Sequence, residues 1–388
     1  MARSHLTADA RRILGIQAVR AFAYGLGSVV LGVTLGNEGY SALETGLVVG
    51  ALLAGAAAAS LVLARHGDRI GRRRAYLVLL AVMAVAGTVF ALTTWLPALV
   101  LAALTGTIST ESNDSGPMTA LEQAMLPHTS TGTATRLFGT YNTIAVLGGA
   151  AGALAAGLPG GQRLLFVYPA AAVVALLLGA RLSSRVESGR ELEQDPLPPL
   201  HSSRTAVVRL SALFALDSFA GGFVVQTYVA FWLTRVFDAQ PEVLGAVFFC
   251  AGLLQALSFQ IAVRLAERFG LLRTMVFTHL PSNVLLAALP LAPNLGIAIA
   301  LLFGRFALSQ MDVPTRQAYV VGIVDPNERV AAAAVTSTAR VVARPLAPLA
   351  VMPLLGGAVG APFVIAGAVK CVYDLGLYAL FRRVELRS

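Results

Sequence analysis

Gly67-Asp68-Arg69-Ile70-Gly71-Arg72-Arg73-Arg74 is a charged turn set between two apolar runs. Leu265-Ala266-Glu267-Arg268-Phe269-Gly270 repeats it 199 residues later, with the acid, the arginine and the glycine at the same spacing. A charged turn that occurs once in each half of an apolar chain implies two similar halves. It also orients both against a membrane, because basic residues stay on the inner side.

The surrounding composition is that of a bilayer protein. The chain has 388 residues, 56% of them hydrophobic and 13% charged, with a mean hydropathy of +0.73. A soluble chain carries about 25% charged residues. Twelve apolar runs are long enough to cross a bilayer, at about 13–35, 43–64, 75–95, 97–126, 137–158, 164–182, 207–234, 243–264, 273–292, 294–324, 330–355 and 362–381. No cleavable signal peptide is expected, because Arg20 interrupts the first run.

The net charge of +9 is mostly topology. With the odd-to-even connections and both tails on the inner side, 21 of the 29 basic residues collect there, and the opposite side holds only Arg163 and Arg235. That asymmetry is the positive-inside rule, so both termini are expected in the cytoplasm and no nucleic-acid partner is implied. Lys370 is the sole lysine, and Cys250 and Cys371 both lie inside apolar runs, where they read as small buried residues.

Ser183 to Arg204 breaks the apolar pattern with Glu187, Glu191, Glu193 and Asp195 followed by Pro196-Leu197-Pro198-Pro199. It reads as a polar linker, giving an N-terminal six-helix bundle over 1–183, a linker over 184–206 and a C-terminal bundle over 207–388. The halves match elsewhere too. Arg20, Phe22, Ala23 and Gly25 align with Asp217, Phe219, Ala220 and Gly222 at an offset of 197; Gly46 aligns with Gly245, and Pro117 with Pro314. Parallel six-helix repeats with a site at the midplane are an architecture of secondary transporters.

On these residues the chain resembles the major facilitator superfamily. The turn from Asp68 to Arg73 looks like the loop that family carries between its second and third helices. The resemblance implies an all-α integral membrane fold of twelve transmembrane helices in two pseudo-symmetric bundles. It also implies a conformational latch at Asp68, Arg69, Gly71, Arg72 and Arg73, with a weaker copy at Glu267 and Arg268. The pattern Gly139, Gly148, Gly152, Gly157 in the fifth segment is similar to a motif of drug–proton antiporters, and equally suits close helix packing. Those antiporters place an arginine midway along the fourth segment; this chain has none there.

Charges inside a membrane are costly and need partners or water. Six bases (Arg20, Arg305, Arg316, Arg340, Arg344, Lys370) and six acids (Glu111, Asp114, Glu122, Asp217, Asp312, Asp374) lie within the segments. Lys370 and Asp374, four apart, are expected to pair locally as a structural element. Arg20 and Asp217 hold equivalent repeat positions, so a pair across the two halves is expected, with Asp217 a proton-coupling candidate. The fourth segment is polar from Thr105 to Ser115, and as continuous helix it would run about 45 Å. Gly116-Pro117 predicts a break there, with Glu111 and Asp114 as further proton-coupling candidates and Asn113 and Glu122 facing solute; a plain loop with a shorter helix is the alternative. Arg305, Gln310, Asp312 and Arg316 form a mixed polar wall, and Arg340 and Arg344, one turn apart, share a face.

The function expected is secondary transport by alternating access, as proton-coupled efflux of a small organic solute. The alternative is transport of an anion by Arg20, Arg305, Arg340 and Arg344. The chain carries no His-Glu-x-x-His, no Gly-x-Ser-x-Gly and no phosphate loop, so an enzyme is disfavoured. A receptor that kept the fold stays a distant alternative. The expected partners are lipid, protons and a small-molecule substrate, with no cofactor and no metal, in a monomer in a bacterial inner membrane.

Overall fold

The computed structural model describes residues 7–109, 116–126, 134–187, 200, 202–325, 328–351 and 358–384. Among them the regular structure is helical, and each of the twelve expected segments carries helix. The helices are α1 (Ala8–Asn37), α2 (Ala42–Ile70), α3 (Arg72–Leu92), α4 (Leu96–Ala103), α5 (Pro117–Met125), α6 (Ala134–Ala155), α7 (Val167–Gly179), α8 (Arg204–Gly222), α9 (Gln226–Phe237), α10 (Pro241–Phe269), α11 (Leu271–Ala288), α12 (Leu295–Ser309), α13 (Asp312–Ile323), α14 (Arg329–Ala343) and α15 (Ala361–Phe381). Among the described residues nine helical stretches are long and apolar enough to span a membrane.

Helix breaks account for the excess of helices over segments. The fourth segment divides as its Gly-Pro predicts. α4 stops at Ala103, the chain turns through Gly106 at φ +69°, and α5 starts at Pro117 with Gly116 as its N-cap. A Cβ on Gly106 would sit 2.3 Å from the Gly55 carbonyl oxygen, so both its conformation and its space require glycine. Opened backbone at membrane depth must find other partners. The Thr105 hydroxyl donates to Ala102 O at 2.7 Å, and the Tyr24 hydroxyl to Thr107 O at 3.1 Å. The tenth segment breaks at Gln310-Met311, and Pro314 lies in the first turn of α13 as Pro117 lies in that of α5. The seventh segment, which reads as one run, also breaks, between Gly222 and Gln226.

The chain forms two compact units. Unit one comprises residues 1–195 and 225–249, and unit two residues 196–224 and 250–388. In unit one α1 is buried nearly all round, packed by α6, α7 and α9. Its closest approach is to α6, where a Cβ on Gly25 would lie 1.9 Å from Gly149 O and one on Gly152 would lie 2.0 Å from Phe22 O. In unit two α11 packs on α15, α12 and α13, and α8 packs on α14 and α15. The core there is built from residues such as Phe214, Met275, Tyr319, Tyr373 and Phe381.

The two charged turns share one backbone device. Gly71 joins α2 to α3 at φ +90°, and Gly270 joins α10 to α11 at φ +85°. Both are conformations that side chains strain to adopt, which explains why glycine holds the same place in each copy.

Candidate functional site

The residues of the charged turn, expected to form a latch, are placed differently in the two copies. Arg72 is buried and its Nη1 donates to Ala124 O in the last turn of α5 at 3.3 Å, while Arg73 donates to Ala180 O at the C-cap of α7. Both arginines thus reach helix C-terminal carbonyls, where a cation meets the negative end of the helix dipole. Asp68 and Arg69 sit in the last turn of α2; their side chains lie outside the described residues. In the second copy Glu267 and Arg268 are exposed at the end of α10.

The four glycines of the fifth segment do separate jobs. Gly148 and Gly152 admit α1, with prospective Cβ contacts of 3.2 Å to Ala18 O and 2.0 Å to Phe22 O. Gly157 admits Glu242 at 2.8 Å, and Gly139 faces open space.

In unit one a single buried ion pair organises the polar core. Gln17, Arg20 and Tyr24 recur at helical spacing on α1, and Thr119 and Glu122 share one face of α5. Arg20 Nε donates to Glu122 Oε1 at 3.1 Å, and Nη2 donates to Glu122 Oε2 at 2.8 Å. Nη2 also donates to Gln17 at 2.7 Å and to Thr119 at 3.0 Å, and Nη1 donates to Tyr24 at 3.2 Å. Glu122 accepts further bonds from Tyr76 and, at 2.5 Å, from Tyr141. Arg20 is 1% exposed and Glu122 0%. Arg20 therefore finds its carboxylate within its own unit, not in the Asp217 pair expected from the repeat. The broken fourth segment is the reason, because α5 restarts at Pro117 and so presents Glu122 to α1.

In unit two the charges form a larger cluster from four helices. Asp217 on α8 accepts from Lys370 Nζ on α15 at 2.5 Å, lies 3.6 Å from Arg316 Nη1 on α13 and 4.0 Å from His279 Nε2 on α11. Arg316 also binds Asp312 at 2.7 Å. Asp374 on α15 meets His279 Nδ1 at 2.9 Å and accepts from Asn283 Nδ2 at 2.8 Å. All seven side chains are buried. The local Lys370–Asp374 pair expected on the twelfth segment gives way to these contacts. α15 packs against both α8 and α11, so each of its two charges meets a partner on another helix.

His279 and Asn283 were not legible as site residues. The available signal was a histidine and an asparagine four apart, one face of a helix, beside Pro281 in an apolar run.

The remaining candidates are scattered. Arg305 stacks its guanidinium 5.3 Å from the Phe306 ring, Gln310 caps α12, and both are half-buried. Arg340 and Arg344 end α14 and are half-buried. Glu111, Asn113 and Asp114 lie outside the described residues. Among the described residues no group of three or more His, Cys, Asp or Glu is placed to hold a metal ion.

The chain matches the family model of the Major Facilitator Superfamily over residues 13–348. It is 24% identical over 416 residues to an uncharacterized membrane protein of Saccharomyces cerevisiae, covering 95% of this chain and 93% of that one. Among solved structures, a mutant form of the nucleoside transporter NupG superposes with a TM-score of 0.80 at 13% identity, over 96% of this chain and 99% of that one. A D-xylose-proton symporter superposes with a TM-score of 0.72 at 13% identity, over 95% and 97%. At that identity the superpositions speak for the fold alone. The family match covers most of the chain, the twelve helical segments agree with it, and the chain belongs to the Major Facilitator Superfamily of membrane transporters.

Proposed function

We propose that this transporter is proton-coupled and moves a small organic solute by alternating access, with the cluster around Asp217 as its proton-holding element. The observation that carries the reading is the make-up of that cluster. Three carboxylates share direct contacts with Arg316, Lys370 and His279 in a buried setting. With His279 neutral these groups sum to one negative charge, which either a proton or the neighbouring Arg340 can offset. Net charge in a low dielectric is expensive, so a proton has a physical reason to enter and a conformational change a means to expel it. The Saccharomyces relative bears no substrate in its name, so the solute is argued from the site alone.

The antiporter-like glycine pattern implies efflux by exchange. Two of its glycines serve the α1–α6 contact whatever the direction, so the proposal is carried by proton coupling, and exchange is its secondary element. The basic inner loops support an inner-membrane protein with both termini cytoplasmic, acting as a monomer. The grips of Arg72 and Arg73 on the ends of α5 and α7 supply contacts that a transition can break and remake.

Asp217→Asn tests the reading in proteoliposomes with an imposed pH gradient and a solute panel. It is expected to abolish gradient-driven accumulation while solute exchange persists. Full gradient-driven transport by Asp217→Asn would remove Asp217 from the mechanism.

A further inference from the structure

Arg340 makes none of the ion pairs found among the described residues of unit two. Each carboxylate of the cluster already has partners: Asp217 has Lys370 and Arg316, Asp312 has Arg316, and Asp374 has His279 and Asn283. Arg340 lies on α14, which packs along α8, and its own carbonyl accepts a bond from the Ser218 hydroxyl at 2.8 Å. Arg340 is half-buried, and its buried Nε has no hydrogen-bond partner among the described residues. The charges within its electrostatic reach are Arg316 first, then Asp217, Asp312 and Arg344. Two cations and two carboxylates surround it, and none of them bonds its Nε among the described residues, which leaves donor capacity for a further anion. Its planar fork of donors matches two oxygens of a carboxylate or phosphate. Ser337, exposed, and Arg344 recur with Arg340 at helical spacing, so the stripe is polar and open to a ligand.

The charge balance extends the argument. With His279 neutral, the three carboxylates are offset by Arg316, Lys370 and Arg340 together. An anion on Arg340 removes that offset and leaves one negative charge in excess, which one proton on the cluster restores. The groups that share this balance are Asp217 on α8, His279 on α11, Asp312 and Arg316 on α13, Arg340 on α14, and Lys370 and Asp374 on α15; Arg344, at the C-cap of α14, reaches Arg340 and stands outside this sum. Tyr373 lies against the His279 ring at 5.9 Å, and Asn283 bonds Asp374.

We propose that Arg340 is the recognition group for an acidic function on the transported solute, a carboxylate or a phosphate, and that its binding draws one proton into the Asp217–His279–Asp374 cluster. The proton half rests on the reading of Asp217 given above; the anion half stands on Arg340 alone. A solute and a proton that favour each other's binding travel together, so the proposal predicts co-transport and weighs against exchange.

The full chain in phosphatidylcholine nanodiscs is the test sample, with ligand binding followed by thermal unfolding. The probes are succinate, benzoate and inorganic phosphate, with glucose and tetraphenylphosphonium as neutral and cationic controls. At least one anion is expected to stabilise the protein, and its affinity is expected to tighten by about tenfold per pH unit of acidification where the cluster takes up its proton. Arg340→Gln is expected to weaken that affinity by about tenfold to a hundredfold, since charge-assisted hydrogen bonds are lost. Arg340→Lys keeps the charge without the fork and is expected to fall between, with the same pH slope. Arg163→Gln, in the short 3-10 helix Gly161–Phe166 of unit one, is expected to match the wild type.

No stabilisation by any anion, or equal affinity in Arg340→Gln and wild type, would overturn the proposal. So would stabilisation by the neutral or cationic probe alone. Arg340-dependent stabilisation by phosphatidylglycerol without any by soluble anions would overturn it in favour of a lipid contact. An anion that binds through Arg340 with no pH slope would sink the proton half and, with it, the Asp217 reading, leaving the anion half standing.

Discussion

Removing the Arg20 guanidinium should destabilise unit one sharply, and removing Glu122 with it should restore much of the loss. Arg20→Leu strips Glu122 of both bonds of a bidentate pair, at 3.1 and 2.8 Å, and leaves a carboxylate of zero exposure with Tyr76 and Tyr141 as its remaining donors among the described residues. Breaking a buried pair by removing one partner costs roughly 3–5 kcal/mol. In a unit of this size that is a fall of roughly 6–20 °C in melting temperature. Arg20→Leu/Glu122→Leu removes both desolvation penalties at once, and such replacements are often neutral. The assay is thermal unfolding of the detergent-solubilised chain, single variants beside the double variant, with transport measured on whatever folds. A double variant no more stable than the singles would refute the energetic argument. A stable double variant that has lost transport would refute the structural role and return Arg20 to the solute path.

Two further substitutions probe backbone and packing. Gly152→Val pushes a Cβ to 2.0 Å from Phe22 O and should cost about 3 kcal/mol or more, whereas Gly139→Ala, with nothing within 4 Å, should express and melt as the wild type does; equal behaviour of the two would contradict the α1–α6 contact. Gly71→Ala and Gly270→Ala each force a side chain to φ near +90° or +85°, and each should cost about 1–3 kcal/mol in melting experiments, with Gly71→Ala also disturbing the grip of the neighbouring Arg72 and Arg73.

The parts of the fold that follow local rules were legible in the residues. Gly116-Pro117 announced the break in the fourth segment, because proline lacks the donor that a continuous helix needs. The turn glycines 71 and 270 announced themselves by recurring at equal spacing between apolar runs. The break after Gly222 had a weaker signal: the Gly221-Gly222 pair sits in an otherwise apolar run, and glycine pairs serve close packing as often as breaks. The candidate site was half legible. Buried charge marked Arg20, Asp217, Arg316 and Lys370 as residues needing partners, since unpaired charge is costly in the membrane. It did not say which partners. Local spacing favoured Lys370 with Asp374, and repeat symmetry favoured Arg20 with Asp217. Both rules treat a helix or a repeat in isolation, and a cross-helix contact of 2.5 Å outweighs them.

The sequence by itself determined the class of molecule: the apolar helical segments and the two charged turns with their glycines. Those properties depend on residue type and spacing along the chain, through the length of an apolar helix and the conformations glycine alone adopts. Only the tertiary structure decided that Glu122 closes on Arg20, that His279 stands between Asp217 and Asp374, and that Arg340 Nε is unbonded among the described residues. Charge pairing depends on which helix faces are brought within a few ångströms, and many pairings satisfy the same sequence until packing selects one.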